Sequence, residues 1–222
     1  MIRQMIIALA FAATVSSPAV GAAPPQSWDG LVQVKSTRLD LVYLQPGADF
    51  RSYTKVMLDP TEVAFARDWK LDYNRSASMT SRISDDDILK AAAEGVKAAS
   101  DIFQQAWTKG GYQVVTTPGP DVLRVRTGVL NIRVTAPDQM TSGRSYSFAT
   151  EAGQATLFVE ARDSLTGALL GRAVDQKIIG DSTTGRRSSV SNRGDFRDQV
   201  ERWADISVRG LNELKTLSAQ HP

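Results

Sequence analysis

Apolar and polar side chains alternate most clearly between Ala155 and Ile178. Leu157, Val159 and Ala161 share one parity, and Thr156, Phe158, Glu160 and Arg162 share the other, as in a strand with one buried face. Asp163-Ser164-Leu165-Thr166-Gly167 follows. Asp opens a type I turn through its side chain, and Gly takes the left-handed conformation that returns the chain. A β-hairpin is predicted here, and the rest of the chain is organised around it.

Helical spacing dominates from Ser84 to Gly111. Ile88, Ala92, Val96, Ala99, Phe103, Ala106 and Trp107 recur every three or four residues, Ser84 is placed as an N-cap, and Gly110-Gly111 ends the run. Asp85, Asp86 and Asp87 suit the exposed N–H groups of the first turn. As metal ligands they are poorly arranged, because consecutive helical residues diverge by about 100°. A second amphipathic helix is predicted after Asp195, with Phe196, Val200, Trp203, Ser207, Leu211 and Leu214 on its stripe and Gly210 allowing close approach to the sheet. Further strands are predicted at Leu39–Tyr43, at Tyr53–Leu58 before Asp59-Pro60, at Tyr112–Thr117, and at Val122–Val134 with a phase switch around Gly128. Residues 61–83 show no clear period. The expected fold is α+β: a mixed, mostly antiparallel sheet of about five strands with the two amphipathic helices packed on one face, a two-layer sandwich.

The first residues change the picture. Arg3, the apolar run Met5–Val15 and the small residues Val20-Gly21-Ala22-Ala23 predict a secretory signal peptide over residues 1–22, and the run is too short to span a bilayer. Residues 23–222 are then one domain with a loose start and a mobile loop at 180–194. The expected location is the periplasm of a Gram-negative bacterium, or secretion from it, without a transmembrane segment in the mature chain. The 222 residues include no cysteine, so neither a disulfide nor a lipid-bearing cysteine is available. The sequence pI of about 8.9 overstates basicity. Removing Arg3 with the leader leaves 25 Lys+Arg against 24 Asp+Glu, a balance that does not point to nucleic acid.

Candidate chemistry is sparse. The single histidine, His221, lies next to the end of the sequence, which argues against Ser-His-Asp, Cys-His and His-ligated metal chemistry. There is no G-x-S-x-G, P-loop or G-x-G-x-x-G. Ser52-Tyr53-Thr54-Lys55 matches S-x-x-K but leads into a strand, and its companion motifs are missing. Glu62, Glu94, Glu151 and Glu160 are carboxylates that only the fold can bring together. Arginines are the better lead: Arg124, Arg126 and Arg133 on one face of the long strand, Arg144 and Tyr146 in the following loop, and Arg186-Arg187 in the Ser/Gly-rich segment.

Val42-Tyr43-Leu44-Gln45-Pro46-Gly47-Ala48-Asp49-Phe50, with Tyr53 and Val56–Pro60, resembles a bacterial family of envelope proteins of unknown function, many of them predicted lipoproteins. Glu160-Ala161-Arg162-Asp163-Ser164-x-Thr166-Gly167-x-x-Leu170 and the tryptophan-bearing last helix are similar to the same family. The resemblance covers most of the mature chain and departs at the missing lipid-bearing cysteine. The element order is also similar to small α+β domains of envelope assembly proteins, such as the curli-secretion lipoprotein and the N-terminal domain of the Tol system's periplasmic propeller protein. These resemblances imply no catalytic residues, cofactor or metal. The expected function is a non-catalytic periplasmic module that binds an envelope protein or an anionic envelope component. The alternatives are a hydrolase using carboxylates or serine without histidine, and a structural subunit that self-associates through a sheet edge.

Overall fold

The computed structural model describes residues 24–77, 79–134, 148–149, 152–180, 185–186 and 189–220. The expected leader and His221 lie outside them. A short hairpin comes first, β1 (Ser27–Trp28) and β2 (Leu31–Val34), turned by Asp29 and Gly30 at φ 52° and 84°. Strands β3 (Leu41–Leu44), β4 (Lys55–Leu58) and β5 (Glu62–Phe65) lead to helix α1 (Trp69–Ser76), a 3-10 turn and helix α2 (Asp85–Lys109). Then come β6 (Gln113–Val114), β7 (Val122–Val134), β8 (Phe148–Ala149), β9 (Gly153–Asp163), β10 (Leu169–Ile179), β11 (Gly185–Arg186) and helix α3 (Ser189–Gln220).

The main sheet has nine strands in the order β1-β2-β3-β10-β9-β7-β4-β6, with β5 also paired to β7; β8 and β11 form a separate two-stranded sheet. Pairing is antiparallel except where β4 meets β6 and β7 and where β5 meets β7. The class is α+β, as the pattern implied, but the expected five strands and two helices undercount it. The missed elements β1, β2, β5 and α1 run from two to eight residues, too short for a period to register.

The predicted hairpin forms as β9 and β10. Asp163 Oδ1 accepts the Leu165 and Thr166 N–H groups, and Gly167 sits at φ 71°. Helix α2 has the predicted cap: Ser84 Oγ accepts the Asp87 N–H at 3.1 Å while Asp87 Oδ2 accepts the Ser84 N–H at 2.8 Å. Two expectations shift. Helix α3 begins at Ser189, so Asp195 is inside it and does not cap it. In β7 the phase switch falls at Asn131 (φ 53°), where the register to β9 slips between Leu130 and Arg133, not at Gly128.

Helices α2 and α3 cover one face of the sheet. Their Phe103, Trp107, Trp203, Ala204 and Leu211 join Val56, Leu123, Val125, Val129, Leu157 and Ile179 in a single core. The close approach to the sheet expected at Gly210 does not occur, since nothing lies within 4 Å of a Cβ there; the tight glycine is Gly110 at the end of α2, where a Cβ would collide with Val208 Cγ1 of α3. Two polar contacts reinforce the layer. Asp175 of β10, 0% exposed, accepts hydrogen bonds from Trp203 Nε1 (2.8 Å), Lys177 Nζ (2.7 Å) and the Asp40 N–H (3.1 Å). Under α2, the Thr61 and Thr127 hydroxyls bond at 2.8 Å, and Ser100 Oγ accepts the Thr61 N–H. Among the described residues no helix is long and apolar enough to cross a membrane.

Trp203→Phe keeps most of the ring but takes a donor from a buried carboxylate, so stability falls by about 1–3 kcal/mol, read from urea denaturation. The two glycines separate in the same assay. Gly110→Ala forces Val208 aside and destabilises by about 1–3 kcal/mol, while Gly210→Ala in open helix surface stabilises by roughly 0.5–1 kcal/mol.

Candidate binding face of the sheet

The face opposite the helices is built by strand alternation. Leu123, Val125 and Val129 point into the core, so Arg124 and Arg126 of β7 point away from it. Cross-strand register extends this face: Arg124 stands opposite Arg162 of β9, Arg126 opposite Glu160, and Glu160 opposite Arg172 of β10. Each arginine has a carboxylate. Arg124 Nε reaches Asp59 at 3.0 Å, and Arg126 Nη2 reaches Glu62 at 2.5 Å. Glu160, only 4% exposed, takes Arg162 Nε on Oε1 and Arg172 Nε on Oε2, both at 2.7 Å. Arg133, beyond the bulge, is held by Asp68 and Asp72 beside α1.

The N-terminal hairpin, at the edge of the sheet, covers the part of this face around Tyr43 and Arg172. Trp28 packs edge-on against Tyr43 at 5.7 Å and meets Phe158 at 6.3 Å, and the Arg172 guanidinium lies 4.6 Å over its ring. Arg172 also bonds Asp29 at 2.5 Å, and the Tyr43 hydroxyl donates to the Pro25 carbonyl at 2.9 Å. Leu31 and Tyr43 are thereby buried outside the main core. Phe158, Val174 and Ile178, the last 65% exposed, lie on the same face.

The two stretches that carry the family resemblance meet at one end of the sheet. The Tyr53 hydroxyl donates to Asp163 Oδ2 at 2.9 Å; burial first, and then this bond, push the phenol up to about 12. Ser164 Oγ accepts the Gly119 N–H and donates to the Gly119 carbonyl. Asp121 holds Thr54 Oγ1 at 2.8 Å and Lys55 Nζ at 3.1 Å. A cavity of about 520 Å³ opens beside them, lined by Lys55 and the Val114–Val122 segment. These bonds lock turns together, and Lys55 is a strand residue bound to Asp121.

Of the arginines singled out from the sequence, the fold gathers Arg124 and Arg126 with Arg162 and Arg172 and sets Arg133 apart at α1. Arg144, Tyr146 and Arg187 lie outside the described residues; Arg186 is in β11, its backbone opposite Phe148. Glu62 and Glu160 are arginine-bound on the open face, whereas Glu94 is on α2 in the other layer; Glu151 lies outside the described residues. Sequence reasoning missed Arg162, Arg172, Asp29 and Trp28. The i, i+2 spacing of Glu160 and Arg162 was a readable signal, since it puts both on one face of a strand. Asp29-Gly30 was another, as a turn dipeptide between apolar residues.

Burial alone raises the Glu160 pKa, but the bonds and charges of Arg162 and Arg172 outweigh it and hold the carboxyl below the ordinary glutamate value. A carboxylate with a depressed folded pKa contributes stability above its unfolded pKa, and that stability is lost as pH falls through the folded value. Urea midpoints should therefore fall as pH drops below about 4.3. Glu160→Gln should be less stable at neutral pH and show a shallower acid slope; an unchanged slope would mean the carboxylate does not carry this dependence.

No curated protein matches the chain. Among solved structures it is similar to a PelC dodecamer from Paraburkholderia phytofirmans (12% identity over 77% of this chain and 97% of that one, TM-score 0.39). Others are protein XCC0632 from Xanthomonas campestris (10%, 80% and 93%, TM-score 0.45) and a minor lipoprotein from Acinetobacter baumannii (15%, 76% and 94%, TM-score 0.32). Residues 25–206 match the family described as "Protein of unknown function (DUF3313)", and the chain belongs to that family.

Proposed function

We propose that the chain is a non-catalytic binding module of the bacterial cell envelope, exported to the periplasm, that docks another envelope protein on the sheet face opposite its helices. The observation carrying this reading is the composition of that face. Half-exposed arginine–carboxylate pairs on adjacent strands border the apolar side chains Phe158, Val174 and Ile178, the polar-rim and apolar-centre arrangement of protein interfaces. Exposed ion pairs of this kind contribute little to stability, so their place beside apolar side chains on this face suits recognition better than folding. Arg133, Arg144, Tyr146, Arg186 and Arg187 are secondary contacts in this proposal.

The alternatives have less support. For a hydrolase, Glu62 and Glu160 are already engaged by arginines. For self-association, the main path of the sheet ends in the two-residue strands β1 and β6, and short edges of this kind resist pairing.

A photo-crosslinking side chain at Ile178 should capture a discrete partner in intact cells, while the same group at exposed Lys90 on α2 should not. Arg124→Gln with Arg126→Gln should weaken the Ile178 adduct severalfold while changing stability by no more than about 1 kcal/mol. Equal capture from both positions, or none from Ile178, would reject this face as the docking site.

A further inference from the structure

Four side chains on the open face stand in one row across four adjacent strands: Met57 of β4, Arg124 of β7, Arg162 of β9 and Leu169 of β10. Two cations are thus side by side with an apolar residue at each end. Directly opposed like charges disfavour a sheet unless something anionic lies between them. Here each arginine has its own carboxylate outside this row, Glu160 standing in the next one, opposite Arg126. Asp59 takes Nε and Nη2 of Arg124, while Glu160 takes Nε of Arg162 and the Gly167 carbonyl takes its Nη1. Nη1 of Arg124 and Nη2 of Arg162 have no acceptor among the described residues, and the two side chains are 50% and 37% exposed.

We propose that this row is a recognition slot for an extended protein segment of the pattern apolar-x-acidic-x-apolar, running across the strands, with its carboxylate bridging Arg124 and Arg162. The inference rests on the docking face assigned above and names the chemistry of its occupant. The match is geometric. Strands are spaced about 4.8 Å apart, so Met57 and Leu169 lie about 7 Å to either side of the midpoint between the arginines. In an extended segment, side chains on one face recur every two residues, also about 7 Å. A central Glu over the arginines therefore sets the apolar residues two before and two after it on Met57 and Leu169. A bridging carboxylate accepts charge-assisted hydrogen bonds from both guanidiniums and relieves their repulsion. Crossing strands near a right angle is an established way for a segment to pack on a sheet.

The test uses the full mature chain and two capped peptides, Gly-Leu-Ser-Glu-Ser-Leu-Gly and its Gln counterpart, followed by NMR chemical-shift titration. The Glu peptide should bind saturably, shift the Arg124 and Arg162 signals, weaken with added salt, and exceed the Gln peptide by roughly tenfold. Arg124→Gln should lose about as much, and Arg209→Gln on α3 should lose nothing. Arg162→Gln should also lose binding, but it exposes Glu160 to a lost partner, so Arg124→Gln is the deciding variant. Equal affinity for the two peptides, absence of saturable binding, or full displacement by equimolar inorganic phosphate would overturn the slot. If the peptides fail while the Ile178 crosslink persists, the slot falls and the docking face stands; loss of both removes the face itself.

Discussion

The Asp175 carboxylate, sealed between sheet and helix, is the contact on which the architecture turns. A buried charge is costly unless nearly all of its hydrogen-bonding capacity is met. Three donors meet it, and each comes from a different place: Trp203 on α3, Lys177 on its own strand, and the backbone of Asp40 ahead of β3. Asp40 returns the tie by accepting the Gln176 N–H at 2.8 Å, and that bond, with burial opposing it, holds its own carboxyl low. One side chain thus secures the last helix, a central strand and the connection to the N-terminal half.

That contact also decides which way β10 faces. A reading by hydrophobicity alone would turn Val174 and Ile178 to the core. Instead Ala173, Asp175 and Ile179 face the helices, and Val174 and Ile178 face outward beside Phe158. On β9, Glu160 makes the complementary arrangement on the opposite face, shared between two arginines. The strands at the centre of the sheet therefore carry a buried carboxylate on each side. One closes the helical layer, and the other anchors the arginine array and the N-terminal hairpin through Arg172, Asp29 and Trp28. The apolar residues left outside, and the arginines around them, are a direct result of this orientation.

Legibility followed the length and locality of each signal. The β9–β10 turn, the Ser84 cap, the Gly110-Gly111 stop and the Trp203 stripe are set by residues a few positions apart, and each was readable. Helix α1 and strand β5 were not, because their few residues owe their form to partners: Trp69 Nε1 donates to the Val134 carbonyl, and β5 lies along β7. The bulge at Asn131 was misplaced to Gly128 because a glycine is the stronger local hint, while the observed site is chosen by register to β9. Arg124 and Arg126 were visible as one parity of a long strand; their neighbours Arg162 and Arg172 belong to other strands and entered the site only through pairing.

The sequence by itself determined the α+β class, the two long amphipathic helices, the central hairpin and the absence of any thiol, since these depend on periodicity, turn chemistry and composition. Tertiary structure alone decided which face of β10 is buried, which arginines become neighbours, and where the helices touch. Those outcomes rest on contacts between residues far apart in the chain, such as Asp175 with Trp203 and Glu160 with Arg172, whose energies exist only after the strands are in register.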